Sequence, residues 1–228
     1  MSVQYTKEWY QKRLGKWNGS EIHKLMKKGR KKDEMFGEGA MTYIMKVASE
    51  RALSKKTLTD DYYWEQFQKL TTGSSFATEW GHDMEPVAID HYMKYVLALD
   101  DVELYSLDSC INPNVPTMAA SADGGILFRE SGKRIIIEVK SPSPAVFAQY
   151  KIKIHDAESL KAEKEEYYWQ TQAELDANPD AEYLDWIVFC PFMKNPIHVV
   201  RIDRVEEDIM EMRLRAVRAD EMIKEFEL

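Results

Sequence analysis

Asp123, Glu138 and Lys140 are the residues whose types and spacing could do chemistry. Glu138 and Lys140 lie two apart at the end of the apolar run Ile135, Ile136, Ile137, and Pro142 follows. In an extended strand, positions two apart project from the same side, so this carboxylate and this ammonium share a face. Glu130, Ser131, Gly132 and Lys133 signal a turn that folds the preceding run back as a hairpin. With a four-residue loop over 130–133, Asp123 lies opposite Lys140 and diagonal to Glu138. All three side chains then converge, unless Gly124 and Gly125 introduce a bulge. Two carboxylates and the Val139 carbonyl form a set of hard oxygen donors. Such a set suits Mg2+, with Mn2+ as a substitute, keeping several waters and meeting a phosphate. A lysine beside the ion can assist deprotonation of water or neutralise charge building on phosphorus. The alternative for the same residues is a surface hairpin with cross-strand ion pairs.

The charge distribution points to a polyanion. The net charge is −8, but Lys7 to Lys32 holds ten basic and two acidic residues, which leaves that segment at +8 and the remainder at −16. A basic patch on an acidic body holds a polyanion in one place and repels it elsewhere, although charge runs also serve as solvated helix faces.

The elements that must position these residues are legible from periodicity. A helix is expected to start at Ser20, with Ile22, Leu25 and Met26 at helical spacing. A second is expected over 40–52, and a third over 78–97 with Met84, Val87, Ala88, His91 and Tyr95 on one face and Pro86 in its first turn. Strands are expected over 102–107, 125–129, Arg134–Lys140, 183–192 and Ile197–Ile202. Helices are expected over 163–178 and 205–226, and the polar stretch 151–166 reads as a mobile loop. Helices first, then strands, then helices on the faces of the sheet give an α/β (α+β) chain with a central mixed β-sheet.

Length and composition bound the class. The 228 residues, 44% hydrophobic and 31% charged, fit one ordinary globular domain. Its expected parts are a helical portion over about 1–100, a sheet core over about 101–203 and a C-terminal helix over about 204–228. No apolar run of about 18 residues is present, so no membrane helix is expected, and the first ten residues lack the apolar stretch of a signal peptide. Two cysteines, Cys110 and Cys190, are too few for a thiolate-only metal centre and fit a reducing cytoplasm. The histidines show no metal-ligand spacing. Trp64, Trp169, Trp186 and Cys190 read as core.

Four ordered segments resemble a known family. Trp9, Arg13, Leu14 and Gly15 are followed by Ser20, Glu21 and His23. Glu79, Trp80 and Gly81 come with Glu85. Ser121, Asp123 and Gly124 come with Glu138, Lys140 and Pro142. Tyr168, Gln170 and Gln172 follow. This order, spanning roughly 9–175, resembles the phage lambda exonuclease family of viral recombination nucleases, within the PD-(D/E)xK superfamily. Ala122 stands where that family has proline.

The resemblance implies a restriction-endonuclease-like core and roles for individual residues. Asp123, Glu138 and the Val139 carbonyl would ligate Mg2+, and Lys140 would orient or activate the attacking water. Glu85 would bind a second metal or its waters, and Gln170 would hold a metal water or the scissile phosphate. Arg13 and Ser20 would hold a 5′-phosphate; a guanidinium fork and a serine at a helix N-terminus suit that anion on physical grounds too. Arg30, at matching spacing, would contact the DNA. The implied activity is 5′-to-3′ digestion of one strand of linear duplex DNA to 5′-mononucleotides, leaving 3′ tails for recombination. The implied setting is a phage or prophage protein in a bacterial cytoplasm, a homotrimeric ring, and a single-strand annealing protein as partner. Two rivals stay open at this point: a related endonuclease, and a non-catalytic DNA-end-binding protein.

Overall fold

The computed structural model describes residues 6–31, 34–71, 73, 76–97, 101–107 and 110–228. The chain runs α1 (Lys7–Arg13), β1 (Trp17–Asn18), a 3-10 turn (Gly19–Glu21), α2 (Ile22–Leu25), α3 (Glu38–Arg51), α4 (Lys55–Thr59), α5 (Asp61–Thr71) and α6 (Phe76–Tyr95). It continues with β2 (Val102–Tyr105), β3 (Cys110–Ile111), β4 (Met118–Ala120), β5 (Gly124–Phe128) and β6 (Arg134–Lys140). Then come α7 (Pro144–Lys153), α8 (Ala157–Glu163), α9 (Glu165–Ala177), β7 (Leu184–Phe189), β8 (Ile197–Ile202) and α10 (Glu206–Ile223).

β6 is central because its sequence is apolar on both faces. It sits third in a five-stranded sheet of order β2-β5-β6-β7-β8, and only the β6–β7 pair is parallel. The parallel step is made by the crossover α7-α8-α9, as a parallel pair demands. On one face, Ile136, Trp186, Val188 and Val200 pack with α3, α9 and α10; on the other, Ile135, Ile137, Val139 and Ile187 pack under Ala88, Ile89 and Tyr92 of α6. Each isoleucine buried this way stabilises by about 1.5–3 kcal/mol. A small sheet of order β1-β4-β3 carries the N-terminal segment. The expected α+β class with a mixed sheet is therefore observed.

The hairpin closes one residue earlier than the sequence suggests. Phe128 donates its N–H to Lys133 (2.9 Å), Gly132 adopts a left-handed φ of 72°, and the loop is 129–132 rather than 130–133. Gly124 accordingly faces Ile137. Moving the loop by one residue moves the pairing by two, and the regular ladder ends at Gly124 and Ile137, so Asp123 is not opposite Lys140. An even shift preserves the faces along the ladder, but Asp123 lies just beyond it. Asp123 also donates its N–H to Ile137 (3.0 Å), so two residues of one strand meet a single partner, as at a bulge.

Four other expectations are corrected. Pro86 lies inside α6, which begins at Phe76, and it separates a half that carries Glu85 from a half packed on the sheet. The buried face of that second half is Ala88, Ile89 and Tyr92, while Val87 and Tyr95 are exposed. Tyr92 sets this rotation, since its hydroxyl donates to Asp185 (2.5 Å) in the interior. The stretch 151–166 is helical instead of a loop: Ile154 and Leu160 are fully buried, and Asp156 and Ser159 cap α8 reciprocally. Ser20 lies within the 3-10 turn rather than at the start of a helix, and α2 after it is four residues long.

Much of the basic run docks on the acidic body. Lys7 pairs with Asp61 (2.5 Å), Lys27 with Glu165 (2.5 Å) and Lys28 with Glu211 (3.5 Å), while Lys24 pairs within the run with Glu21 (2.6 Å). Such surface pairs contribute about 0–1 kcal/mol each. Lys32 lies outside the described residues. No helix among the described residues is long and apolar enough to cross a membrane.

Candidate active site

A cleft of about 550 Å3 opens at the end of β6, and Asp123, Glu138, Val139 and Lys140 line it together with Glu85, Gln170, Arg13 and Ser20. The side chains converge because β6 ends there. Glu138, 3% exposed, projects toward α9, and Lys140 reaches back to form an ion pair with Glu138 Oε1. The Asp123 carboxylate turns onto the strand end and accepts the Val139 N–H at its Oδ2 (2.7 Å). Val139 is thereby held by the residue with which it would share an ion. Glu138 Oε1 also accepts from Gln170 Nε2 (2.6 Å).

The N-terminal half of α6 forms one wall. Trp80 fixes it to the strand end: its indole N–H donates to the Ser141 carbonyl (3.0 Å), and its ring stacks on Phe192 at 5.5 Å and 14°. One turn later Glu85 faces the cleft. Pro86, directly after it, removes one bond of the helix ladder between the half that lines the cleft and the half packed on the sheet.

The electrostatics are those of crowded carboxylates. Burial, then the charge of Glu138, pushes Glu85 up to about 7. Burial, then Glu138 and Glu85, holds Asp123 well above the ordinary carboxylate range. For Lys140, burial pulls the ammonium down, but Glu138 and Asp123 together outweigh it and hold it above the ordinary lysine value. One ammonium thus faces several carboxyls in one cleft, a balance that a cation would restore. Glu138 Oε2 and Ser141 Oγ are buried at this cleft without a partner among the described residues. No group of three or more His, Cys, Asp or Glu side chains forms a metal cage among the described residues. Mg2+ does not require one, since it is commonly held by one or two carboxylates and several waters. The donor set fits a hard divalent ion.

Arg13 occupies the other end of the cleft. Its guanidinium donates to Ser121 Oγ (2.9 Å) and Ser20 Oγ (3.3 Å) and lies over the Trp9 ring at 4.4 Å. With Ser20 in a 3-10 turn, the helix-dipole part of the phosphate argument falls away; the guanidinium and two hydroxyls remain. Arg30 is not brought to the cleft. It lies exposed on the segment after α2 and lines a separate hollow with Lys28, Lys31 and Arg215.

The model of the YqaJ-like viral recombinase domain matches residues 8–177, which holds every residue of this cleft. The chain belongs to the YqaJ-like viral recombinase family. Comparison with curated protein sequences gave no match. Among solved structures, the alkaline exonuclease LHK-Exo from Laribacter hongkongensis is similar, at 18% identity over 96% of this chain and 93% of that one, with a TM-score of 0.70. Its complex with dAMP superposes with the same figures. A phage-related exonuclease from Haemophilus somnus 129PT is 16% identical over 92% of this chain and 94% of that one, with a TM-score of 0.58. At such identities these likenesses establish the fold, and the fold is that of the lambda-exonuclease-like enzymes.

Two residues are given no role by the sequence, one lining this recombinase-family cleft and one behind it. Ser121, two residues before Asp123, is the closer hydroxyl partner of Arg13. Glu174 is 1% exposed and accepts from Gln170 Nε2 at 2.8 Å. Its spacing of four from Gln170 on a helix is the one signal that could have found it. Burial, then Glu138, holds Glu174 well above the ordinary carboxylate range.

Proposed function

We propose that this protein is a divalent-metal-dependent exonuclease that degrades one strand of linear duplex DNA, 5′ to 3′, from a 5′-phosphorylated end. The observation that carries the reading is that Arg13, with its two hydroxyl partners, and the Asp123–Glu138–Lys140 group line a single cleft. An anion anchor sharing a cleft with the hydrolytic group selects the bond next to a chain end, which an internally cutting enzyme does not need. The dAMP complex of the Laribacter hongkongensis exonuclease supports mononucleotides as products here as well.

In this reading Asp123, Glu138 and the Val139 carbonyl hold the ion, Mg2+ or Mn2+, and Glu85 holds a second ion or its waters. The ion supplies charge neutralisation and an acidified water. Lys140, pinned by Glu138, places its ammonium beside the phosphate oxygens and offsets the charge they gain. Gln170 fixes a group at the cleft floor. Arg13 pairs with the terminal phosphate dianion, and Ser20 and Ser121 keep its fork oriented. The family extends the proposal to a phage-encoded ring of three copies around duplex DNA and a single-strand annealing protein that takes the 3′ tail.

The test is digestion of linear and closed-circular duplexes bearing 5′-phosphate or 5′-hydroxyl, with Mg2+ or EDTA. Mononucleotide release from phosphorylated linear ends in Mg2+ alone is expected. Cutting of closed circles would favour an endonuclease, and binding without cutting would favour an end-binding protein.

A further inference from the structure

We infer that Glu174 is a positioning residue that fixes the side-chain amide of Gln170 so that its oxygen, not its nitrogen, meets the reaction. The inference rests on the nuclease reading and decides between the two groups, water or phosphate, that Gln170 could hold.

Gln170 Nε2 lies 2.6 Å from Glu138 Oε1 and 2.8 Å from Glu174 Oε1. An amide nitrogen carries two protons, so one goes to each carboxyl and the nitrogen is fully used. Turning the amide over would set its oxygen against both acceptors at once. Glu174 Oε1 accepts whether or not the carboxyl is protonated, so the arrangement does not depend on its titration. The amide oxygen of Gln170 has no partner among the described hydrogen bonds, and Gln170 lines the cleft. An oxygen facing the cleft accepts only. It can hold an O–H donor such as a water, and it repels a phosphodiester oxygen, which has no proton to give.

Glu174 has no other evident task. It does not line the cleft, and its Oε2 is buried without a partner among the described residues. Replacing Glu174 alone leaves one Gln170 N–H without its acceptor, a cost offset in part because the buried carboxyl itself has one oxygen unsatisfied. Without Glu174, Glu138 alone orients the amide, and a turned or tilted Gln170 becomes accessible.

The test compares Glu174→Met and Glu174→Gln in the full chain. Glu174→Met should lower kcat about ten- to hundredfold, the scale of a misplaced reacting group. KM, and the Kd for a phosphorylated duplex end in EDTA, should stay within about twofold, and the Tm should fall modestly in Glu174→Met and return toward native in Glu174→Gln. Glu174→Gln, whose amide oxygen can accept the same proton, should keep kcat within about threefold of native. In 15N NMR of the metal-free chain, the Gln170 side-chain amide should show two slowly exchanging protons in the native and Glu174→Gln proteins and lose them in Glu174→Met. Native kcat with an unchanged Gln170 signal in Glu174→Met would overturn the inference. So would a joint loss of Tm and kcat that Glu174→Gln does not restore. If the native chain neither binds nor cuts DNA ends, the nuclease reading fails, while the NMR comparison still decides the Glu174–Gln170 link.

Discussion

Arg13 and Ser121 are joined by a 2.9 Å hydrogen bond across more than a hundred residues of chain, and Ser121 lies two positions before Asp123. The bond ties α1 to the β4–β5 connection. The bond therefore couples the position of Arg13, the proposed anion anchor, to that of Asp123, the proposed metal ligand.

That link sets a prediction for the end. Arg13→Ala should lower the preference for 5′-phosphate over 5′-hydroxyl ends by roughly ten- to hundredfold. A charge-assisted pair contributes about 1.5–3 kcal/mol, and only the phosphorylated end loses it. Rates on both substrates report the ratio. An equal loss on the two, with a lower Tm, would make Arg13 a structural clamp instead.

Lys140→Ala should reduce the cleavage rate by about 10²–10⁴ while leaving DNA-end affinity near native. The ammonium is pinned to Glu138, and the proposed reading gives it a part in the chemistry rather than in holding the duplex. Asp123→Ala should be at least as damaging. In Ca2+ the native chain should bind DNA without cutting it, because calcium takes more and looser oxygen contacts and activates water poorly. Turnover of Lys140→Ala within about threefold of native would place the chemistry elsewhere.

Metal-free stability should fall as pH rises from about 4.5 toward 7. Glu85 holds its proton up to about 7 when folded, against an ordinary 4.5. Over that window the unfolded chain releases the proton and the folded chain keeps it, so rising pH favours unfolding. Asp123 and Glu174 are displaced in the same direction. Thermal melts in EDTA across this range should show the decline, and Glu85→Gln should flatten it. Mg2+ should raise the Tm more at pH 8 than at pH 5, since the ion competes with those protons. A Mg2+ effect independent of pH would count against these carboxyls as its ligands.

Pro86→Ala should raise the Tm and lower kcat/KM together. An interior proline costs a helix about 3 kcal/mol, and alanine restores the missing ladder bond. The restored bond would stiffen α6 directly after Glu85, and a shift of that carboxyl lowers turnover in the proposed reading. Melting and steady-state rates on one preparation distinguish this from simple destabilisation, which would lower both.

The sequence by itself determined the sheet and the core of the site. Ile135, Ile136 and Ile137 can only be satisfied by burial on both faces, so β6 is central, and strand alternation then puts Glu138 and Lys140 on one side. These are local properties with fixed periods. Asp123 joined them even though the expected loop was one residue out and the ladder bulges at Asp123 and Gly124, because its carboxylate turns onto the strand end and accepts the Val139 N–H. Tertiary structure decided what has no local period. Ser20 and Arg13 read as a helix terminus and a phosphate ligand, but a 3-10 turn and the reach of Ser121 set their arrangement. Arg30, on spacing alone indistinguishable from a site residue, falls in another hollow because α2 ends at Leu25 and the chain turns away. The basic run looked like one patch, yet Lys27 and Lys28 are spent on Glu165 and Glu211, partners more than a hundred residues distant. Glu174 is the clearest case. On its own helix it is one more polar residue, a turn away from Gln170, and only the meeting of α9 with β6 brings that amide, and Glu174 through it, to Glu138.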